Sequence, residues 1–568
     1  MLLLIESLLV VIGIVFAFCC PRLGERWFAP LEHGLSRLAR RRLLSVVIVG
    51  LTALILRVML LPILPIPEPA VHDEFSYLLA ADTFAHGRLA NPTHPMWVHF
   101  ETFHVNQKPT YVSMYYPAQG LFMAAGQLMF GHPFWGVWLS TGLMCAAICW
   151  MLQGWLPPFW ALLGGLLAVI RLGTFSYWMN SYWGGSVAAL GGALVLGSLP
   201  RLKRKPCVRD AVFMGIGFAL LANSRPYEGL VFTIAVLAAF ALWNRRAAVR
   251  VRRWLPSRTV GALAVMFVIT LGAMGYYFWR TTGSPFQTPY VVNSSAYRPV
   301  PLFPWQGMNH IPIYQHAAMR SYYLGWAVNQ YDLARHHEVI TLLFKASKFW
   351  FFFLGPVLTL PLFATCFVLP FGISFRDLSH SSQALLLVCG LLFLAAALPV
   401  CFEPHYIAPA TCVFYSLILI AMQRVRHWSP GNRPVGVTLA RAVPTVAVVL
   451  LILRLFTPTD STAKLATWYA PVVVSTYRAQ LLSQLERMPG LHLVIVRYNA
   501  KHIPADEWVF NGADIDYSKV VWARDMGAEG NAELIRYFKS RKVWLVEPDK
   551  VPPQLSPSGT NVEQAKLQ

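Results

Sequence analysis

The chain has 568 residues, 56% of them hydrophobic and only 13% charged, with a net charge of +21. That composition excludes a soluble globule, because the apolar residues fall in long uninterrupted runs that a water-facing surface cannot carry. Nor does the positive balance point to nucleic acid: the cations are concentrated in a few segments between apolar runs, as on one side of a membrane.

Twelve runs approach the ~20 residues that cross hydrocarbon. They lie at roughly 1–19, 43–66, 133–153, 157–175, 184–200, 211–223, 226–243, 260–281, 346–372, 384–402, 406–422 and 435–456. The reading is a polytopic helical membrane protein. Segments 20–42, 201–209, 244–258 and 423–434 carry the basic runs, among them Arg40-Arg41-Arg42, Lys203-Arg204-Lys205, Arg245-Arg246 and Arg252-Arg253. The long loops 67–132 and 283–342 hold only Arg88, Lys108, Arg298, Arg320 and Arg335. With the N-terminus outside, every basic loop falls inside and both long loops fall outside. No cationic region precedes the first run, so it reads as a retained helix and not as a cleaved signal peptide. The nine cysteines form neither a disulfide framework nor a zinc pattern, and Cys145 and Cys149 share a helical face as packing residues.

Pro62, Pro65, Pro67 and Pro69 end the second span and stiffen entry to the first long loop, which opens with His72-Asp73-Glu74. Phe75 to Ala85 has helical spacing and is expected to lie on the outer surface with its apolar face against lipid. The stretch 117–131, beginning Pro117-Ala118-Gln119-Gly120, is expected as an interfacial helix. Two tight outer tips follow, Tyr177 to Gly185 and Asn223 to Gly229. The tail, 457–568, changes character. Strand-like runs at His492–Val496, Val520–Ala523 and Val543–Val546 alternate with helix-like ones at Tyr477–Met488 and Ala532–Ser540, predicting a small α/β domain on the outer side. The last dozen residues read as disordered. No internal repeat is evident.

An acidic pair after a helix is most often simply solvated. At the lip of a bilayer, however, Asp73 can act as a general base on an acceptor hydroxyl, with partial desolvation expected to raise its pKa, while Glu74 orients it or holds substrate. An anionic leaving group needs cations at the outer ends of spans. Arg57, Arg171, Arg225, Arg280, Lys345, Lys348 and Arg454 stand there; most are expected to snorkel or to meet backbone carbonyls. Arg225 stands out beside Asn223, although Glu228 is an alternative salt-bridge partner. The outer loops are rich in aromatic and histidine residues, which suit sugar binding but also populate bilayer interfaces for physical reasons alone. Substrate-binding candidates are His72, Glu101, Lys108, Tyr116, Arg225, His405 and Tyr406. His72, Asp73, Glu74, His99, Glu101 and His104 together are also candidates for a divalent metal, without the tight helical spacing of an HExxH motif. No other cofactor is indicated.

These features resemble a known family. An Asp-Glu motif in the first large outer loop, a Pro-Ala-Gln-Gly helix start, basic inner loops and a C-terminal outer domain look like the GT-C superfamily of integral membrane glycosyltransferases. Most similar are family 39-like bacterial relatives of protein O-mannosyltransferases and of the aminoarabinose transferase that modifies lipid A. The resemblance covers about 1–456, most specifically 71–131. It implies a catalytic transmembrane domain over 1–456 and a C-terminal periplasmic α/β domain over 457–568. It further implies inverting transfer of a sugar from a polyprenyl-phosphate donor to a lipid, glycan or protein acceptor at the outer face of a bacterial inner membrane. Asp73 matches the family's acid-base carboxylate and Glu74 its neighbour; Arg225 and His405-Tyr406 approximate its basic hairpin residue and a later outer-tip motif. Two other classes fit many spans and outer aromatics: a transporter or flippase of lipid-linked sugars, and a non-catalytic scaffold for envelope assembly. Transporters place ionisable or broken-helix sites near the midplane, whereas Glu6 is the only clear carboxylate inside a span here and the carboxylates concentrate in the loop.

Overall fold

Each of the twelve apolar runs folds as a helix, since a backbone in hydrocarbon must satisfy its own hydrogen bonds. In the computed structural model, residues 1–69, 71–243, 257–369, 375, 378–457, 467–469 and 476–557 are described. The runs correspond to α1 (Leu2–Cys19), α3 (Arg42–Met59), α6 (Phe134–Trp155), α7 (Pro158–Arg171), α8 (Ser186–Arg204) and α9 (Val208–Ala222). They continue with α10 (Pro226–Trp243), α11 (Ser257–Thr282), α14 (Glu338–Val368), α15 (His380–Ala397), α16 (Thr411–Arg426) and α17 (Val435–Phe456). Among the described residues, eight helices are long and apolar enough to cross a membrane. Helices α7 and α10 are shorter apolar ones, α9 has only 15 residues, and α8 ends in Arg201, Lys203 and Arg204. The chain is a polytopic helical membrane protein with a small α/β element near its C-terminus.

One inner segment differs from expectation. Residues 20–42 contain helix α2 (Glu25–Arg40), which starts at Gly24 in the left-handed conformation (φ 73°) and carries Pro30 in its interior. Gly24, Pro30 and Gly34 weaken the local helical signal. Tertiary contacts override it: the Glu32 carboxylate takes bidentate hydrogen bonds from Arg426 (2.9 and 2.8 Å) and Arg441 (2.9 and 3.1 Å). The basic run 244–258, up to its last residues, and the last dozen residues lie largely outside the described residues.

By internal contacts the chain divides into two units: Met1–Pro67, Phe134–Gly272 and His337–Val472 in one, and Glu68–Pro133, Ala273–His336 and Val473–Gln568 in the other. Most of the spans form the first. The second gathers both long loops and the tail. It contains α4 (His72–Ala85), α5 (Pro117–Phe130), α12 (Pro289–Tyr297), α13 (Ala327–His336), α18 (Tyr477–Arg487) and α19 (Gly527–Tyr537). Strands β1 (Val105–Asn106) and β2 (Val112–Ser113) pair antiparallel. A four-stranded sheet has the order β4 (Val520–Arg524), β3 (His492–Val496), β5 (Lys542–Glu547), β6 (Gln554–Pro557). Strand β3 runs parallel to both neighbours, and its unbroken apolar stretch is that of a strand covered on both faces. Strand β6 was not expected; its proline-bearing sequence is tolerated because it is the antiparallel edge.

Helix α4 forms where helical spacing predicts, but its apolar face does not meet lipid. Phe75 stacks on Phe510 (centroids 4.1 Å apart, planes at 6°), and Leu79 shares a core with Val105, Tyr111, Leu493, Val521 and Leu534. Burial of one such aromatic stabilises by about 1.5–3 kcal/mol. The tail therefore covers the face assigned to the bilayer, a long-range pairing that helical periodicity alone cannot reveal.

Candidate active site

Asp73 lies in the first turn of α4, where the helix end favours a negative charge. The Tyr115 hydroxyl donates to Asp73 Oδ1, and Tyr115 is itself stacked on Tyr77 at 4.4 Å. His72 Nδ1 is 3.0 Å from Asp73 Oδ2, and His104 Nε2 is 3.9 Å from Asp73 Oδ1. Phe103 and Tyr322 wall the His72 ring at 5.3 and 5.2 Å.

His104 is one of two non-glycine residues with positive φ (60°) among the described residues. That conformation is strained for a side chain of this kind and persists only where surroundings enforce it. Here the Ser76 hydroxyl (2.6 Å) and the Met114 N–H (3.0 Å) both donate to its carbonyl. Ser113 Oγ lies 2.7 Å from Ser76 Oγ and accepts the Tyr115 N–H at 3.1 Å, so one small network sets both partners of Asp73.

The electrostatics reverse an expectation. Burial alone raises Asp73, but the facing imidazoles of His104 and His72 and the Tyr115 hydroxyl outweigh it, holding the carboxyl well below the usual carboxylate range. Burial pushes His104 down to about 3, against the attraction of Asp73. At neutral pH the centre is thus an ionised carboxylate facing a neutral His104. Nδ1 of His104 is buried with no hydrogen-bond partner among the described residues, whereas Nδ1 of His72 faces Asp73. Donor atoms of His72, Asp73 and His104 all lie within 4.8 Å of one another. The neutral His104 imidazole with its unused nitrogen, the ionised carboxylate and the His72 ring are a donor set that fits a divalent cation of the zinc or manganese kind.

The remaining expected residues are distributed elsewhere. Glu74 turns back on its own helix and accepts the Val71 N–H at 3.1 Å. Glu101 is buried in a second cluster: Tyr297 donates to it (2.7 Å), His316 Nε2 lies 3.4 Å away, and its carbonyl accepts from Arg524 Nε at 2.6 Å. Burial raises Glu101, opposed by Tyr297 and Arg524. His99 belongs to that cluster too, with Nδ1 3.2 Å from the Arg524 carbonyl. Lys108 sits over the Trp97 ring at 4.2 Å, and Tyr116 caps α5 with its ring edge toward Phe278.

Within the unit of spans, Arg225, His405 and Tyr406 do come together. The Arg225 guanidinium lies 4.5 Å from the Tyr406 ring centre, and His405 Nδ1 is 3.0 Å from the Tyr177 hydroxyl. Lys348 pairs with Glu403 at 2.5 Å. Other intramembrane cations meet carbonyls as expected: Arg57 those of Leu64 and Pro65, Lys345 those of Ala397 and Pro399, Arg454 those of Tyr469 and Thr457. Glu6, the carboxylate within the first span, accepts from Arg171 at 3.1 Å. Sequence reasoning missed Tyr115, Ser76 and Ser113 as supports of Asp73 and His104. Only the density of hydroxyl residues around the motif could have suggested them.

No protein-family model matches the chain, and no curated protein matches its sequence. Solved structures do. Archaeal oligosaccharyltransferase AglB from Archaeoglobus fulgidus, in complex with an inhibitory peptide and a dolichol-phosphate, aligns with TM-score 0.45 and 13% identity, covering 89% of this chain and 69% of that one. ArnT from Cupriavidus metallidurans aligns in the apo state with TM-score 0.48 and 13% identity, and bound to undecaprenyl phosphate with 0.46 and 12%. Both ArnT alignments cover 88% of this chain and 92% of that one.

Proposed function

We propose that the chain is a glycosyltransferase of the plasma membrane of a bacterium, moving a sugar with inversion from a polyprenyl-phosphate donor to an acceptor hydroxyl at the outer face. The observation that carries this reading is Asp73: a half-buried, ionised carboxylate that takes the Tyr115 hydroxyl and faces His72 and His104 at the start of the first long loop. An acceptor oxygen bonds the anomeric carbon as the bond from that carbon to the phosphate oxygen breaks, and the polyprenyl phosphate leaves with the electron pair. Positive charge builds on the sugar, and an ionised carboxylate stabilises it. A carboxylate so far below the usual range is a weak base in the ground state. It takes the acceptor proton only once the new bond has made that proton strongly acidic. Tyr115 and His104 hold the carboxylate in place for both tasks. Glu74 fixes the first turn of α4 on which Asp73 is presented.

His72, Asp73 and His104 would hold a divalent cation, which when bound supplies Lewis-acid charge for the phosphate. In the unit of spans, Arg225 on Tyr406, with His405 and Lys348 nearby in the same unit, is the candidate grip for an anionic lipid headgroup.

The test is transfer of radiolabelled sugar by the purified protein in nanodiscs, from donors built on undecaprenyl and dolichyl phosphate, for wild type and Asp73→Asn with and without chelator. A loss of at least about a hundredfold in a folded Asp73→Asn protein supports the reading. Equal transfer by both removes Asp73 from the mechanism, and no transfer from any donor moves weight to a flippase or scaffold. Chelator-sensitive transfer restored by added metal assigns the cation.

A further inference from the structure

We infer that α2, with the depression at its start, is a binding site for anionic phospholipid in the leaflet that the basic loops face. The helix is docked on one side only. Glu32 is fixed by Arg426 and Arg441, Phe28 lies under the Arg441 guanidinium at 5.1 Å, and Ala39 is fully buried. Burial opposes ionisation of Glu32, but the two arginines win and bring it down to about 2, so this anchor stays charged at any physiological pH.

With that side fixed, two others are left outward. Leu23, Trp27 and Leu31, four residues apart, make an apolar stripe with exposures of 53, 82 and 57%. Single exposed apolar residues mean little, but Trp27 and Leu31 on one face of α2, with Leu23 just before its start, make an apolar edge around a tryptophan of the kind that seats in the acyl–headgroup boundary. Arg26, Arg37 and Arg40 form the adjoining face, with Arg22 and Arg41 at the two ends; all are exposed and none is ion-paired among the described residues. Next to the stripe is an open depression of about 430 Å³ lined by Cys20, Arg22, Leu23, Asn432 and Arg433. Two guanidiniums and an amide above apolar chain suit a headgroup phosphate whose acyl tails lie along Trp27. Charge complementarity selects an anionic phospholipid over a neutral one. The stripe selects a lipid over a soluble anion.

The experiment uses the full chain, delipidated in detergent and offered equal amounts of phosphatidylglycerol and phosphatidylcholine, with retained lipids counted by native mass spectrometry. Wild type is expected to retain phosphatidylglycerol selectively, and the selectivity to fall with salt. Replacing Arg22, Arg26 and Arg37 by Gln lowers the selectivity by on the order of a hundredfold at low salt. The matching Arg→Lys variant keeps most of it, which separates charge from any packing role of the arginines. Unchanged selectivity in the Gln variant overturns the proposal, as does equal loss in the Gln and Lys variants. Trp27→Ala is expected to weaken retention of both lipids alike; no effect on either removes the stripe and with it the site.

Discussion

Two carboxylates in the same unit, Glu507 buried and Asp73 half-buried, are held ionised by opposite means. Glu507 is closed: Arg524 Nη2 donates to Oε2 at 2.5 Å, while Tyr498 and the N–H groups of Trp508 and Val509 donate to Oε1. Burial raises Glu507, but Arg524 and these donors carry it below its ordinary value. Asp73 relies instead on a tyrosine and two imidazoles, and Nδ1 of His104 has no hydrogen-bond partner among the described residues. A cluster whose donors and acceptors are used up can only hold structure together, whereas one with an unused nitrogen is shaped for something else to complete it.

The comparison breaks most visibly in stability. Arg524→Met strands Glu507 as a buried charge and is expected to cost about 3–5 kcal/mol, read by denaturant unfolding of the purified protein. Asp73→Asn removes a charge that the folded site favours over the neutral form, so it is expected to cost some stability, but less than Arg524→Met because it strands no buried charge, while cutting transfer at least about a hundredfold, or about 2.7 kcal/mol in the barrier. Should Asp73→Asn unfold as readily as Arg524→Met, the two carboxylates are alike and the distinction is lost.

Much of this was legible in the sequence, and the reason differs by element. Twelve apolar runs became twelve helices because hydrophobic length is a local property that lipid enforces. Strands β3, β4 and β5 were legible because β-branched runs bounded by turns are local too. Asp73 was placed by its position after a span. What escaped depends on distant partners. Phe510, more than 400 residues on, covers the face of Phe75 that was assigned to lipid, and Glu32 holds α2 together despite Pro30 by meeting Arg426 and Arg441. The direction of Asp73 was misjudged for the same reason: desolvation is readable from a motif's surroundings, but His104 and Tyr115 approach only after β1 and β2 pair.

A pH scan sharpens the comparison from the closed side. Burial, with Arg524 adding to it, pushes His316 down to about 3, so the folded protein keeps this imidazole neutral where the unfolded chain, near pH 6.5, protonates it. Between those values the unfolded state binds more protons, so the stability contributed by His316 is present above pH 6.5 and is lost as pH falls. Its share of the slope is about 1.4 kcal/mol per pH unit, levelling off near pH 3. His316→Gln is therefore expected to flatten the acid side of the stability curve by about that slope. His104 is pushed the same way in both proteins and cancels in the difference. An unchanged slope would mean that His316 is protonated in the fold and that its cluster is not closed.

The smallest effect bears on how the open site is held. With φ at 60°, His104 sits where any residue with a Cβ is disfavoured by about 1–2 kcal/mol, and glycine is not. His104→Ala and His104→Gly both delete the imidazole, so they should lose transfer equally. They differ only in the backbone, and the glycine variant is expected to be more stable than the alanine variant by about 1 kcal/mol, measured by the same unfolding assay. Such an ordering would mean that the wild-type fold tolerates strain at this residue to aim a nitrogen at Asp73, with the Ser76 hydroxyl and the Met114 N–H supplying the restraint on its carbonyl. Glycine no more stable than alanine would place the conformation within the ordinary reach of the loop, and the aim of His104 would then rest on its ring packing against His72, Tyr115 and Tyr322.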